Sequence, residues 1–205
     1  MSRADADLFG AGGLALALAR QAFGGRGCFA AVRRRRDDGS WSGPEGAIAL
    51  ESRRLESVPY ACGEPMGVRQ QRLDAVRATV ALRGTVESTE GREGAEGPSG
   101  FDGIRPVPVG EPQGLDTLAF FAACRLACPQ AHLVADLEIL GLKLGPLCLS
   151  FGADEIMGAI VERRELRLGA RVGSKELTRD EAAQLLLAAG FAPSERLPDG
   201  GVRTL

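Results

Sequence analysis

Residues 132–160 read HLVADLEILGLKLGPLCLSFGADEIMGAI. The stretch begins extended at His132-Leu133 and continues as a mostly buried helix, in which Pro146 predicts a kink. Its end, LSFGADEIMGAI from Leu149 to Ile160, turns through a glycine and sets Asp154 and Glu155 side by side. An acid that follows a glycine at the end of an apolar element has two readings. In a parallel α/β sheet, acids at strand ends face the crevice where ligands bind. The plainer reading is solvation or helix capping. Gly63-Glu64 poses the same choice after the apolar run VPYAC.

Working outward, strand-like and helix-like segments alternate. GLALALARQAF, residues 13–23, has the spacing of a short helix stopped by Gly24-Gly25, and CFAAV then reads as a strand. RRRRDDGSWSG carries an Asp-Gly turn signal and predicts a hairpin. AIALESRRLESVPYAC holds one or two short strands. GVRQQRLDAVRATVALRG places Val68, Leu73, Val76 and Val80 near one face, an amphipathic helix closed by Gly84. Residues 84–100 are rich in Gly and Glu and lack periodicity, which predicts a flexible surface loop. FDGIRPVPV is a proline-limited strand, and GLDTLAFFAACRLAC is an apolar-rich helix stopped by Pro129. In LTRDEAAQLLLAAGFAP, Thr178 and Glu181 form a capping box, Gly190 is the helix stop, and Pro193 ends the element. This alternation predicts an α/β fold with a mostly parallel sheet and a C-terminal helical segment, in a single domain over 1–205.

Composition narrows the classes. The 205 residues carry a net charge of −2, so no global field favours nucleic acid or an anionic membrane. The basic run Arg33–Arg36 is followed at once by Asp37-Asp38 and reads as a solvated strand end or turn rather than a phosphate-binding patch. No segment approaches the ~20 apolar residues of a membrane span, and no leader-like segment is evident, so a cytoplasmic protein is expected. The five cysteines are odd in number and scattered, as reduced, mostly buried thiols are. Cys124 and Cys128 sit one helical turn apart, but no third and fourth ligand follow at metal-site spacing, so they read as core residues. His132 is the only histidine, and sequence alone places no partner beside it. There is no P-loop, and GAGG at residues 10–13 does not follow a strand.

The segments GFDGIRPVPV, GLDTLAFFAACRLACPQAHLVADLEILGLKLGPLCLSFGADEIMGAI and LTRDEAAQLLLAAGFAPSER keep a particular order over residues 101–205. In that order they resemble the C-terminal barrel region of a radical S-adenosylmethionine family. This is the family of the aminofutalosine synthases and dehypoxanthine futalosine cyclases of menaquinone biosynthesis, related to the deazaflavin synthases. The matching positions are Arg125-Leu126, His132-Leu133, Leu140 to Leu144, Phe151 to Asp154, Gly158, and Gly190 to Pro193 with Arg196. CGEPMGVRQQRLDAVR is similar to the family's GHxE strand end and the helix after it, with Glu64 and Arg69 in the corresponding places. The family's C-x-x-x-C-x-x-C motif, which holds a [4Fe-4S] cluster, is absent, and the chain is short for a full barrel of ~250 residues.

The resemblance implies an incomplete (β/α) barrel, with Asp154 at its C-terminal face. It implies a protein without independent radical chemistry, accessory to or derived from futalosine-pathway menaquinone biosynthesis. No cofactor or metal is then expected; a [4Fe-4S] cluster and S-adenosylmethionine would require an unusual cluster site. Uncovered barrel edges imply a partner, either a second copy or a full-length family enzyme, unless AIALESRRL folds back across the opening. The alternative is a remodelled non-radical enzyme or a binder of a nucleoside-like small molecule, using Glu64, Asp154 and Glu155 as acid/base groups or acceptors. The candidate substrate-binding residues are therefore Glu64, Arg69, Asp154 and Glu155.

Overall fold

The computed structural model describes residues 3–89, 103–162 and 176–205. In chain order the elements are α1 (Arg3–Ala22), β1 (Arg26–Arg35), β2 (Trp41–Ser42), β3 (Ile48–Ala49), a 3-10 turn (Leu50–Ser52) and β4 (Leu55–Tyr60). There follow α2 (Met66–Thr89), β5 (Gly103–Pro108), α3 (Gly114–Ala127), β6 (Val134–Asp136), α4 (Leu137–Leu144) and a second 3-10 turn (Pro146–Phe151). The last elements are β7 (Glu155–Gly158), β8 (Ile160–Val161), β9 (Leu177–Thr178), α5 (Arg179–Ala188), β10 (Ala192–Arg196) and β11 (Val202–Thr204).

The central sheet runs β11-β10-β1-β7-β6, and every pairing within it is parallel except β10 with β11. The parallel pair β4-β5 continues it through a single bridge, Ile104 to Leu133. The first strand thus lies in the middle. Cys28 stands between Ser194 of β10 and Glu155 of β7. β1 can sit there because Cys28 to Ala30 and Val32 are all buried: a central strand is covered on both faces and needs a continuous apolar run.

The two faces differ. Phe29, Tyr60, Ile104, Leu133 and Ile156 point to one side and join residues of α1, α2, α3 and α5 in the main core. Their neighbours Ala30, Val32, Val134 and Met157 point to the other side. There they meet Ile48, Leu50 and Leu55, and among the described residues no α-helix residue belongs to that cluster. The segment from β3 through the 3-10 turn therefore crosses the helix-free face. It is anchored by the register Val32–Ile48 and by an ion pair from Arg53 to Glu155. Residues 48–53 of AIALESRRL thus lie across this face of the sheet.

Several expectations hold in detail. The hairpin at RRRRDDGSWSG pairs Arg34 with Ser42 and Arg35 with Trp41. The capping box of α5 is complete, with Glu181 N–H donating to Thr178 Oγ1 and Thr178 N–H donating to the Glu181 carboxylate at 2.8 Å. Others are corrected. α2 does not close at Gly84 but runs to Thr89, so residues 84–89 of the expected loop are helical, and residues 90–100 lie outside the described residues. A lone glycine costs a helix only about 1 kcal/mol and does not by itself end it. The break in the 137–151 region falls at Gly141 (φ 73°, ψ 166°), a backbone state glycine adopts at no steric cost. Pro146 instead starts the following turn, where its missing N–H is not needed. Pro193 does not end an element but lies within β10, opposite Gly27. The C-terminal segment is not helical throughout, because α5 is followed by β10 and β11, which complete the sheet.

Candidate functional site

The four candidate residues do not share one site. Glu64 and Arg69 follow β4 and pair with each other, Arg69 Nε to Glu64 Oε1 at 3.7 Å. Arg72 reaches Glu64 at 3.4 Å, and Arg69 reaches Asp116 at 3.7 Å. The Gly63 N–H donates to Asp116 at 2.5 Å. This cluster clamps the end of β4 to the first turns of α2 and α3.

Asp154 and Glu155 are adjacent, yet their side chains serve opposite faces, as neighbours in extended chain do. Asp154 lies at the N-terminal end of β7, not at the C-terminal face implied by the resemblance. Its backbone is set by the Cys28 N–H, which donates to Asp154 O at 2.8 Å, so the acid precedes the strand. One carboxylate oxygen accepts from the Leu133 N–H at 2.8 Å and from the Arg125 guanidinium. The other meets His132 Nδ1 at 2.5 Å. Arg125 is fully buried in α3 and also donates to the carbonyls of Gly152 (2.8 Å), Pro129 (2.9 Å) and Ala131 (2.7 Å). The arginine thus satisfies the backbone of two turns and neutralises the carboxylate, as a buried charge requires.

Glu155 faces the helix-free side. Arg53 contacts one oxygen, and Arg196 contacts the other through Nε (3.1 Å) and Nη2 (2.9 Å). Complete burial works to raise the carboxyl's pKa, but the two guanidinium charges prevail and hold it near 2. Farther along the same face, Asp136 ends β6 and accepts from Arg34 and, at 3.3 Å, from Arg105. Arg105 continues to Ser57 Oγ at 2.9 Å. Asp136 also caps α4, accepting from the Glu138 N–H at 3.1 Å. A rail of arginines and carboxylates therefore runs along this face, and Glu138 of α4 joins it through Arg34.

A cavity opens toward each end of this face, and Arg196 lines both. The one at the C-terminal ends of β1 and β10, about 220 Å³, is bounded by Pro44–Ile48, Ile160–Glu162, Arg179 and Leu197-Pro198. The one at the N-terminal ends, about 250 Å³, is bounded by Phe23, Arg26, Cys28, His132, Asp154 and Ser194. Burial pushes the Cys28 thiol up to about 12, so it stays protonated at neutral pH. Cys124 and Cys148 are buried in the helix-packed core, and burial raises both thiols as well.

Sequence reasoning missed Asp136, Arg34, Arg53, Arg105, Arg125 and Arg196 as members of these clusters. Asp136 was within reach, since VAD sets an acid at a strand end, the cue that singled out Asp154. The arginines were not, because each pairs with an acid brought near only by the sheet. The comparisons with known proteins add no identification: no family model and no curated protein matches this chain.

Proposed function

We propose that this chain is a shortened, non-radical relative of the radical S-adenosylmethionine enzymes of menaquinone biosynthesis, an incomplete barrel that binds a small polar, nucleoside-like molecule on its helix-free face. The observation that carries the reading is the Arg53–Glu155–Arg196 group, buried on the face a barrel would turn inward, with a cavity to either side. A buried polar rail in such a position orients a polar ligand better than it packs a core. The proposed absence of radical chemistry rests on the missing C-x-x-x-C-x-x-C motif and on cysteines scattered over β1, the turn after β4, α3 and its end, and the second 3-10 turn. The protein would act in the cytoplasm, consistent with described helices none of which is long and apolar enough to cross a membrane.

Calorimetric titration with inosine and adenosine tests the ligand class. Binding should weaken at least tenfold in Arg196→Met, and equal affinity in the variant would refute the site. Anaerobic iron–sulfur reconstitution should give no charge-transfer absorption, and a brown product would restore radical chemistry. Light scattering after size exclusion tests the proposed pairing with a second copy. A monodisperse monomer would count against that pairing.

A further inference from the structure

We propose that the cavity at the N-terminal ends of the strands is an acid–base site for a small oxyanion, a carboxylate or phosphate monoester bearing an exchangeable O–H, with His132 as the proton acceptor. The inference goes beyond the nucleoside reading and does not depend on it.

The histidine is held in one orientation. Its Nδ1 lies 2.5 Å from Asp154, whose other oxygen is fixed by Leu133 N–H and Arg125. The ring stacks on Phe23 with centroids 4.2 Å apart and planes inclined by 17°. With a fully charge-paired carboxylate at Nδ1, the proton of the neutral ring sits there, and Nε2 keeps its lone pair. This is the base-and-orienter half of a catalytic arrangement, assembled on a ring that is 38% exposed beside a cavity.

The charge around it favours an anion. Of the ionisable side chains that line the cavity, Arg26 and Arg196 are cationic and Asp154, the one carboxylate among them, is already paired with Arg125. Arg26 lines the cavity and has no ion pair with a described residue. The volume, about 250 Å³, holds on the order of eight waters, which suits a compact ligand. In the step this geometry allows, the ligand's O–H proton passes to Nε2. Asp154 balances the imidazolium, Arg26 balances the new anionic oxygen, and the same proton returns from Nε2 to that oxygen, so the O–H bond that breaks is the one that re-forms and the step is a balanced proton exchange. The protonated Cys28 lines the wall and carries no step.

Because the chain has one histidine, its imidazole nitrogens can be read without ambiguity by 15N NMR. The free protein should show the Nδ1–H tautomer. Hydrogen phosphate, which carries both an oxyanion and an acidic O–H, should shift the Nε2 resonance and slow carbethoxylation of His132. Arg26→Ala, a change at an exposed position, should weaken the phosphate effect roughly tenfold while leaving the tautomer unchanged. An Nε2–H tautomer would overturn the proposal. So would an Nε2 signal unmoved by millimolar phosphate, or an equal phosphate effect in Arg26→Ala. Inosine binding with no phosphate response would sink this inference alone and leave the nucleoside reading standing.

Discussion

Replacing Glu155 with glutamine removes one negative charge from a group that otherwise neutralises two arginines on a buried face. The magnitude follows from two routes. The carboxyl is held near 2 against an ordinary value of 4.5. At ~1.4 kcal/mol per pH unit, that difference stabilises the fold by about 3 kcal/mol wherever the group is ionised in both states. A depressed carboxylate confers this stability above its unfolded value and loses it as pH falls. The contribution is therefore complete above about pH 5 and gone by about pH 2. Independently, breaking a buried ion pair by removing one partner costs about 3–5 kcal/mol, because the remaining charge is stranded. Against a total of about 5–15 kcal/mol, Glu155→Gln should be severely destabilised at pH 7. Urea unfolding followed by circular dichroism, repeated from pH 7 to pH 2.5, is the assay. The gap between wild type and variant should be about 3 kcal/mol at pH 7 and should shrink on acidification below pH 5. A gap under ~1 kcal/mol at pH 7, or one that does not change with pH, would refute the argument that the arginines hold this carboxylate ionised.

Three further outcomes can be checked. Gly152 has φ 101°, and a Cβ there would lie 2.7 Å from Arg125 Cβ, so Gly152→Ala should lower stability by at least ~2 kcal/mol in urea unfolding. Arg125→Met should leave Asp154 buried and three carbonyls without a donor, reducing soluble yield. Arg125→Lys should rescue little, since a point ammonium cannot replace a planar fork, and melting scans would show this. Iodoacetamide at pH 8 should label Cys62 first. Cys28, Cys124 and Cys148, buried and with raised thiol pKa values, should react only after denaturation, as peptide mass mapping would reveal.

The alternation of apolar runs with Gly and Pro signals made the elements legible, because local spacing carries that information. The strand at CFAAV, the hairpin after it and the cap at Thr178 all depend on near neighbours. What depends on distant partners was not legible. Nothing local shows that β1 lies between β7 and β10, and so nothing local shows that Arg196 reaches Glu155. Asp154 and Glu155 illustrate the limit. They stand side by side in sequence, but the chain extends after the turn at Gly152, so Asp154, just before β7, and Glu155, its first residue, send their side chains to different faces. His132 lacked a visible partner for the same reason, since Asp154 reaches it only once β6 and β7 have aligned.

The position of β1 also constrains the order in which the protein can assemble. The strand leaves the ribosome well before its neighbours, since Arg26 pairs with Ala192 and Cys28 with Glu155, 166 and 127 residues later in the chain. Ser194 Oγ donates to Gly27 O across 167 residues of chain. Contacts of such separation carry a large loop-closure entropy and slow the folding of a domain. Until β7 and β10 are made, the apolar run Cys28–Ala31 of β1 has two open edges, the condition under which strands pair with the wrong chain. A nascent chain stalled before β10 should therefore need a holdase to stay soluble, whereas a circular permutant that begins at α5 would present β10 and β1 together from the start.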